Sequence, residues 1–183
     1  MSTVRSHWLL ICLTGLLLAG CGGLKLDPAP IRDVALSGVW ELDFAESDNA
    51  RSAMKPDARR GDKRMSTRAE IQRIRAGSGL AFVAYDFQVL DARRMDIELA
   101  SDSMGIQHFP GVYRDVSWGM KERGVWQVQA GWDENALVIA SRTRGITVLE
   151  RYQLTTRDRL LVSLDIKADG NSRVVNRYFR RGR

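Results

Sequence analysis

The sequence predicts an all-β domain in which short antiparallel strands form a barrel or a sandwich. Apolar and polar residues alternate along eight or nine short segments, and such alternation is typical of strands with one buried face. Turn residues separate these segments at regular intervals, and Asp169-Gly170 lies between the two clearest of them. Asp-Gly between alternating runs is a strong indication of a β-hairpin. A closed barrel would also leave no exposed sheet edge.

The predicted strands begin at residue 36 and continue to the carboxyl terminus. They cover 36–43, 80–90, 95–99, 112–118, 125–130, 136–141, 146–155, 160–166 and 173–180. The stretch 105–110 is interpreted as a loop, which places His108 at the surface. Residues 51–68 combine Pro56 and Gly61 with many charges and are predicted to form a basic loop with at most one helical turn. No other segment after residue 20 shows a convincing helical pattern.

Residues 1–20 have the features of a signal peptide. Arg5 precedes an apolar run, and this run is shorter than the roughly 20 residues that a membrane span needs. The run ends in Leu18-Ala19-Gly20-Cys21, which resembles the bacterial lipobox. The resemblance implies that the Cys21 sulfur receives diacylglycerol, that the chain is cut before Cys21, and that the new amino terminus is acylated. An ordinary cleaved signal peptide and an uncleaved anchor are the alternatives.

The residue after the lipobox bears on the destination of the protein. Gly22, rather than aspartate, follows Cys21. By resemblance to Gram-negative lipoproteins, this implies a palmitate-type lipid anchor in the outer membrane, with the protein facing the periplasm. Two or three acyl chains hold a protein on a membrane essentially permanently. Residues 21–34, which are rich in proline, are predicted to be a lipidated tether, and residues 35–183 the barrel domain.

Scarce cysteine and histidine exclude several kinds of site. Cys12 and Cys21 are the only cysteines, so the processed chain has no disulfide, no thiol nucleophile and no cysteine-based zinc site. After His7 is lost, His108 is the remaining histidine, and one imidazole makes neither a catalytic triad nor a metal cluster. No phosphate loop, dinucleotide fingerprint or zinc-protease motif is present. We therefore expect no enzyme activity, no catalytic residue, no metal and no cofactor other than the covalent lipid.

The net charge of +6 has much of its excess between residues 51 and 75, which include the basic loop 51–68. Export excludes cytosolic nucleic acid as a partner. The remaining anionic surfaces are lipid headgroups and lipopolysaccharide phosphates. The alternative is a solvated loop that only aids solubility.

An ordered set of short motifs resembles uncharacterised bacterial lipocalin-like lipoprotein domains. The set opens with Gly38-Val39-Trp40 and continues with 130–133, 147–154 and 176–180. The resemblance implies an eight- to nine-stranded calycin barrel in which Trp40 plugs one end. It also implies a basic side chain on the last strand that packs over this tryptophan, and Arg177 is assigned that role.

The same resemblance implies that the open end of the barrel binds a small apolar or amphipathic ligand. Candidate ligand-binding residues are Trp118, Trp126, Trp132, Glu150 and Tyr152. Glu150 is in phase with Val148 and Tyr152 and points inward, either towards a ligand or towards an interior arginine. The aromatic residues would equally fill a solid barrel, which would then dock an envelope protein or an anionic surface through its basic loop. The sequence leaves the ligand, the partner and the oligomeric state open.

Overall fold

The computed structural model describes residues 24–55 and 79–182. These residues contain a sheet of ten antiparallel strands. The strands are β1 Gly38–Leu42, β2 Arg94–Leu99, β3 Ser103–Phe109, β4 Tyr113–Ser117, β5 Gly119–Arg123, β6 Trp126–Asp133, β7 Ala136–Thr143, β8 Ile146–Thr156, β9 Arg159–Ala168 and β10 Asn171–Arg181. The described residues between β1 and β2 include three helical segments: α1 Ala50–Ala53, α2 Gly79–Asp86 and the 3₁₀ helix η1 Gln88–Leu90.

The sheet curls into a nearly closed barrel. Its strand order is β4-β3-β2-β1-β10-β9-β8-β7-β6-β5, so β4 and β5 are its two edges. Residues 114–117 of β4 and 121–123 of β5 line the same pocket. The two edges therefore face each other across a gap. Among the described residues the barrel has ten strands rather than the predicted eight or nine, because β3 and β5 are additional to the predicted set and the predicted strand 80–90 is not a strand.

The β9–β10 hairpin follows the predicted alternation closely. Leu160, Val162, Leu164 and Ile166 of β9 are all fully buried, and they point into the barrel. Each such side chain stabilises the fold by about 1.5–3 kcal/mol relative to an exposed position. At the turn to β10, Asp169 and Gly170 both have positive φ, 52° and 76°. Two positive φ angles match the right-handed twist of the flanking strands, so Asp-Gly suits this turn.

Two different caps close the ends of the barrel. At the helical end, Phe82 of α2 stacks on Trp126 with ring centroids 5.5 Å apart. The Gly79 N–H donates to the Asp169 carboxylate, which ties α2 to the β9–β10 turn. At the opposite end, which we call the tryptophan end, the buried Trp40 indole donates to the Leu36 carbonyl at 2.8 Å. The interior between the two caps is the core of the protein.

The prediction of a strand over 80–90 is wrong. Leu80, Val83 and Phe87 are buried at helical spacing, whereas Tyr85 is 86% exposed. Nearly every position in this segment is apolar, so periods of 2 and 3.6 fit the sequence equally well. The segment forms a helix rather than a strand because no strand is available to pair with it, and its buried side chains cover the open end of the barrel.

Two strands were absent from the prediction. In β3, Met104, Ile106 and His108 are buried in alternation, so the predicted loop and the exposed position of His108 are both wrong. Gly105 suggested a loop, but a Cβ there would lie 2.0 Å from the Tyr113 hydroxyl, so glycine leaves room for that side chain. All five residues of β5 are exposed, so β5 has no alternation that a sequence pattern could reveal.

The described part of the predicted tether lies against the barrel. Asp27 and Trp132 exchange two backbone hydrogen bonds of 2.8 Å. Cys21, the signal peptide 1–20 and most of the basic loop 51–68 lie outside the described residues. Within residues 24–55 and 79–182, no helix is long and apolar enough to cross a membrane.

Candidate functional site

A cluster of polar side chains lies inside the barrel. Arg114 Nη1 donates to both carboxylate oxygens of Glu150, at 2.7 and 2.9 Å. The Tyr152 hydroxyl donates to Glu150 Oε2 at 3.0 Å. Glu150 and Tyr152 are fully buried and Arg114 is 8% exposed. Together with the neighbouring His108, we call these residues the interior cluster.

Strand alternation places the cluster. Arg114 and Val116 are the inward positions of β4, and Val148, Glu150 and Tyr152 are inward positions of β8. The two strands are not neighbours in the sheet, so the ion pair crosses the interior. A buried charge whose partner is removed costs about 3–5 kcal/mol. Neither residue of the pair is therefore dispensable on its own.

Two buried nitrogen atoms of the interior cluster have no hydrogen-bond partner among the described residues. They are Arg114 Nε and His108 Nε2. His108 Nδ1 lies 3.4 Å from the Val112 carbonyl, so it carries the ring proton and Nε2 is an acceptor. Native interiors rarely leave such atoms unpaired, because each costs about 1–3 kcal/mol. A donor and an acceptor are thus available inside the barrel for a group that can pair with both.

Burial and mutual charge determine the protonation of the cluster. Burial raises the pKa of Tyr152 well above its ordinary value, and the Glu150 charge raises it further, so Tyr152 remains a donor. Burial also lowers the pKa of His108 below 6.5, although the Val112 carbonyl and Glu150 oppose this effect. Burial is the largest effect on Arg114 and would lower its pKa, but the charge and hydrogen bonds of Glu150, together with Tyr152 and Asp86, raise the pKa overall. At neutral pH the cluster is an ion pair flanked by a neutral phenol and a neutral imidazole.

The gap between β4 and β5 gives access to this cluster. A pocket of about 260 Å³ occupies the gap, and we call it the gap pocket. Its lining combines inward residues with charged residues of the two edges: Arg114, Asp115, Val116, Ser117, Lys121, Glu122, Arg123 and Val128. Burial and the Arg114 charge lower the pKa of Arg123. Ligand pockets usually measure about 300–1,000 Å³, so the gap pocket suits a small group or the end of a longer molecule.

Comparison with known proteins bears on the fold. No protein-family model matches the chain, and no curated protein matches it. Among solved structures, a mutant of the fluorescent protein UnaG is similar to it with a TM-score of 0.50 and 15% identity, over 81% of this chain and 96% of that chain. Wild-type UnaG gives a TM-score of 0.49 at 15% identity, over 80% and 97% of the two chains. The fold is a calycin-type barrel. This confirms the all-β, antiparallel prediction, and at such low identity the likeness shows the fold alone.

The calycin-type barrel separates the predicted ligand-binding residues into three groups. Trp126 lies at the helical end, where its ring meets Phe87 edge-on at 5.2 Å. Trp118 and Trp132 lie at the tryptophan end, in a T-shaped contact at 6.3 Å. Trp126 and Trp132 lie six positions apart on β6, which corresponds to about 20 Å along a strand. Of the five candidates, Glu150 and Tyr152 are the two that belong to the interior cluster.

The signature residues of the barrel need one correction. Trp40 is buried as predicted, but the guanidinium over its ring belongs to Arg181, 4.3 Å from the centroid. Arg177 instead donates to the carbonyls of Asp48 and Ala92, at 3.1 and 3.0 Å. Trp40 and Arg181 are register partners on β1 and β10, whereas Arg177 lies four residues before Arg181 on β10.

Gly38 has a conformational role beside this pair. Its φ is 125°, and a Cβ there would lie 2.9 Å from Arg181 Nη1. Glycine therefore lets the Arg181 side chain pass close to β1 on its way to the Trp40 ring.

Sequence reasoning missed two residues of the site, Arg114 and His108. A signal for Arg114 was present, because it is in phase with Val112, Val116 and Trp118 in a correctly predicted strand. A charged residue on the apolar phase of a strand indicates a buried, paired charge. His108 had no comparable signal once its segment was interpreted as a loop. In residues 24–55 and 79–182, no three His, Cys, Asp or Glu side chains are arranged to hold a metal ion.

Proposed function

We propose that this protein is an outer-membrane lipoprotein of the cell envelope whose barrel binds a small amphipathic molecule. The observation that carries the proposal is the interior cluster, with its unpaired Arg114 Nε and His108 Nε2 beside the gap pocket. A polar group of the ligand bonds to these two atoms. The apolar part of the ligand packs against inward side chains such as Val116 and Val128.

The charges of the site favour a neutral polar group. Glu150 already neutralises Arg114, and Asp86 interacts favourably with both Arg114 and the nearby Arg123. A second carboxylate would leave an unpaired negative charge in a buried position, which is costly. A hydroxyl both accepts from Arg114 Nε and donates to His108 Nε2. The ligand is therefore an apolar molecule with a hydroxyl or a similar group, and the protein acts as a binding module, not as an enzyme.

The lipobox supports the location of the protein. Leu18-Ala19-Gly20-Cys21 lies at the end of an apolar run, and the first strand of the barrel, β1, begins at Gly38. The lipid on Cys21 holds the barrel at the outer membrane, facing the periplasm. Labelling with radioactive palmitate tests the lipid anchor on which this location depends, because a Cys21→Ala variant loses the label whereas wild type keeps it.

A pair of chemically matched probes tests the binding site. Hexadecanol and hexadecanoate have the same chain length, and each is used to displace the neutral dye Nile red from the protein. We expect the alcohol to displace the dye at concentrations at least tenfold lower than the acid. Stronger displacement by the acid would contradict the charge argument. Native mass spectrometry of the protein, prepared without detergent, then identifies any molecule retained from the envelope.

A matched pair of double variants separates binding from stability. Arg114→Met with Glu150→Leu removes the polar atoms together and leaves no unpaired buried charge, so the fold persists. This variant is expected to lose most of its affinity for hexadecanol. Arg151→Gln with Asp133→Asn removes a partly exposed pair between neighbouring barrel residues and is expected to bind normally. Normal binding by both variants would place the ligand elsewhere.

A solid barrel is the second candidate. Trp40, Trp132, Tyr152 and Phe179 are at most 2% exposed, and the gap pocket is smaller than most ligand sites. In that case the protein docks an envelope protein or an anionic surface through the basic loop 51–68. An empty protein that binds neither probe but is retained on lipopolysaccharide would favour this function.

A further inference from the structure

The chain just after Cys21 is fastened to one side of the barrel. Gln129 Nε2 donates to the Leu24 carbonyl at 2.7 Å, and Asp27 pairs with Trp132. Between these two points, a Cβ on Gly131 would lie 2.9 Å from Leu26 Cβ and 2.8 Å from the Asp27 carbonyl oxygen. The segment therefore lies directly on the outer surface of β6, and glycine at 131 permits the close approach.

This attachment limits where a lipid on Cys21 can lie, an argument that rests on the proposed lipid anchor. Cys21 lies three positions before Leu24, and a fully extended chain of three residue steps spans about 11 Å at most. Strands are about 4.8 Å apart, so β10, four strands from β6, lies about 19 Å around the barrel. Cys21, the attachment point of the lipid, therefore cannot reach the β10 side. We propose that the outer surface of β5 and β6 lies against the bilayer.

The side chains on this surface suit an anionic membrane. Met120 and Val125 are 59% and 64% exposed, and Met120 is the register partner of Gln129, next to the attached segment. Lys25 and Arg142 are also exposed here, whereas Lys121, the register partner of inward Val128, faces the gap pocket. We call Met120, Val125, Lys25 and Arg142 the anchor face. Its apolar side chains enter the interfacial layer of the bilayer, and its two basic side chains pair with phosphate headgroups.

The orientation has a consequence for ligand exchange. The gap pocket is bounded on one side by β5, which also carries Met120 of the anchor face. The entrance to the interior cluster therefore opens beside the bilayer. An amphipathic ligand passes between lipid and protein without crossing a layer of water. The membrane itself is the source or the destination of the ligand.

Single thiols make the orientation measurable. After processing, Cys21 is acylated and Cys12 is lost, so an introduced cysteine is the one reactive thiol. Met120→Cys and Val174→Cys are matched, because the wild-type side chains are apolar, similarly exposed at 59% and 61%, and on opposite sides of the barrel. Each variant carries a nitrobenzoxadiazole label. The lipidated proteins are reconstituted in phosphatidylcholine–phosphatidylglycerol vesicles that contain a spin-labelled lipid as quencher.

We expect the label at position 120 to be quenched severalfold more strongly than the label at position 174. Equal quenching, or stronger quenching at 174, would overturn the orientation. Insertion of a flexible Gly/Ser linker of about twenty residues between Gly23 and Leu24 keeps the lipid but frees the barrel. Since the short link enforces the orientation, the difference between the two positions is expected to decrease with this linker.

The mass of the purified protein separates the two ways in which the proposal can fail. A mass without acyl chains shows that the lipid anchor is absent, and the orientation argument fails with it. An acylated protein with equal quenching at both positions keeps the anchor and rejects the docking surface. Gly131→Val, whose side chain would displace residues 26 and 27, gives an independent check, because it should weaken the position dependence while acylation stays complete.

Discussion

Arg114 and Glu150 face each other across the interior of the barrel, with Nη1 of the arginine 2.7 Å from Oε1 of the glutamate. They lie on β4 and β8, which are six positions apart in the strand order. No backbone hydrogen bonds join β4 to β8. The ion pair therefore links two regions of the sheet that are otherwise connected only through the strands between them. This cross-barrel pair leads to the first two predictions.

Arg114→Met is expected to lower the free energy of unfolding by about 3–5 kcal/mol, because it leaves the Glu150 carboxylate buried and unpaired. Adding Glu150→Leu is expected to recover most of this loss, since no charge then remains to be buried. Urea denaturation of the wild type, the single variant and the double variant measures both effects. A double variant less stable than the single one would show that the cluster stabilises the fold beyond charge pairing.

Tyr152→Phe is expected to lower the free energy of unfolding by about 1.5–3 kcal/mol, because its hydroxyl donates to a buried carboxylate. Tyr85→Phe is the control, since Tyr85 is 86% exposed and loss of its hydroxyl should change stability by less than about 0.5 kcal/mol. Thermal unfolding of both variants checks the difference. Equal effects would mean that the Tyr152 hydroxyl contributes nothing specific.

The contact of Arg181 with Trp40 predicts a sensitive position at the tryptophan end. Arg181→Met keeps the aliphatic part of the side chain but removes the charge over the ring and the hydrogen bond to the Ser37 carbonyl. We expect a loss of about 1–2 kcal/mol, together with a change in tryptophan fluorescence. Arg144→Met, at an exposed position in the β7–β8 turn, should leave both unchanged. An unchanged fluorescence spectrum in Arg181→Met would contradict the contact.

The lowered pKa of buried His108 predicts a loss of stability in mild acid. The unfolded chain takes up a proton near pH 6.5, whereas the folded chain resists protonation to a lower pH. The unfolded state therefore binds more protons below pH 6.5, and stability falls with pH until the folded imidazole is also protonated. His108→Leu should flatten this part of the stability profile. Urea midpoints measured between pH 7.5 and about 5 test this expectation.

The lowered pKa of Asp43 predicts a second loss of stability, at a more acidic pH. Burial would raise its pKa, but hydrogen bonding and charge from Arg180, with a smaller contribution from Arg159, lower it below 3.8. Its contribution to stability is complete above the unfolded pKa and is lost as pH falls through the folded pKa. Asp43→Asn should therefore reduce the steepness of unfolding below pH 3.8 but not the loss near pH 6. A change confined to the higher range would assign the titration to another group.

Local patterns predicted most of the strands and the direction of their side chains. Leu160 to Ile166 alternate because one face of β9 is buried, and Asp169-Gly170 permits the positive φ angles of the turn. The same alternation correctly predicted that the side chains of Glu150 and Tyr152 point inward. The alternation did not predict β5. All five residues of β5 are exposed, so the segment has no alternation of buried and exposed positions.

The partners of the buried residues could not be read from the sequence. From the sequence, the partner of Glu150 was either a ligand or an arginine. Glu150 lies 36 positions from Arg114 along the chain. Arg177 and Arg181 are both basic residues of the last strand, and register with β1 alone places Arg181 over Trp40. Such contacts depend on how the sheet curves and closes, and no local pattern encodes that curvature.

By itself, the sequence determined the all-β class, the hairpin at Asp169-Gly170 and the inward phase of Glu150, because each of these depends on residues that are close along the chain. The tertiary structure decided that 80–90 is a helix, that His108 is buried and that the barrel has a gap between β4 and β5. These features depend on which surfaces remain to be covered once ten strands have closed around one core, and that is a property of the whole chain.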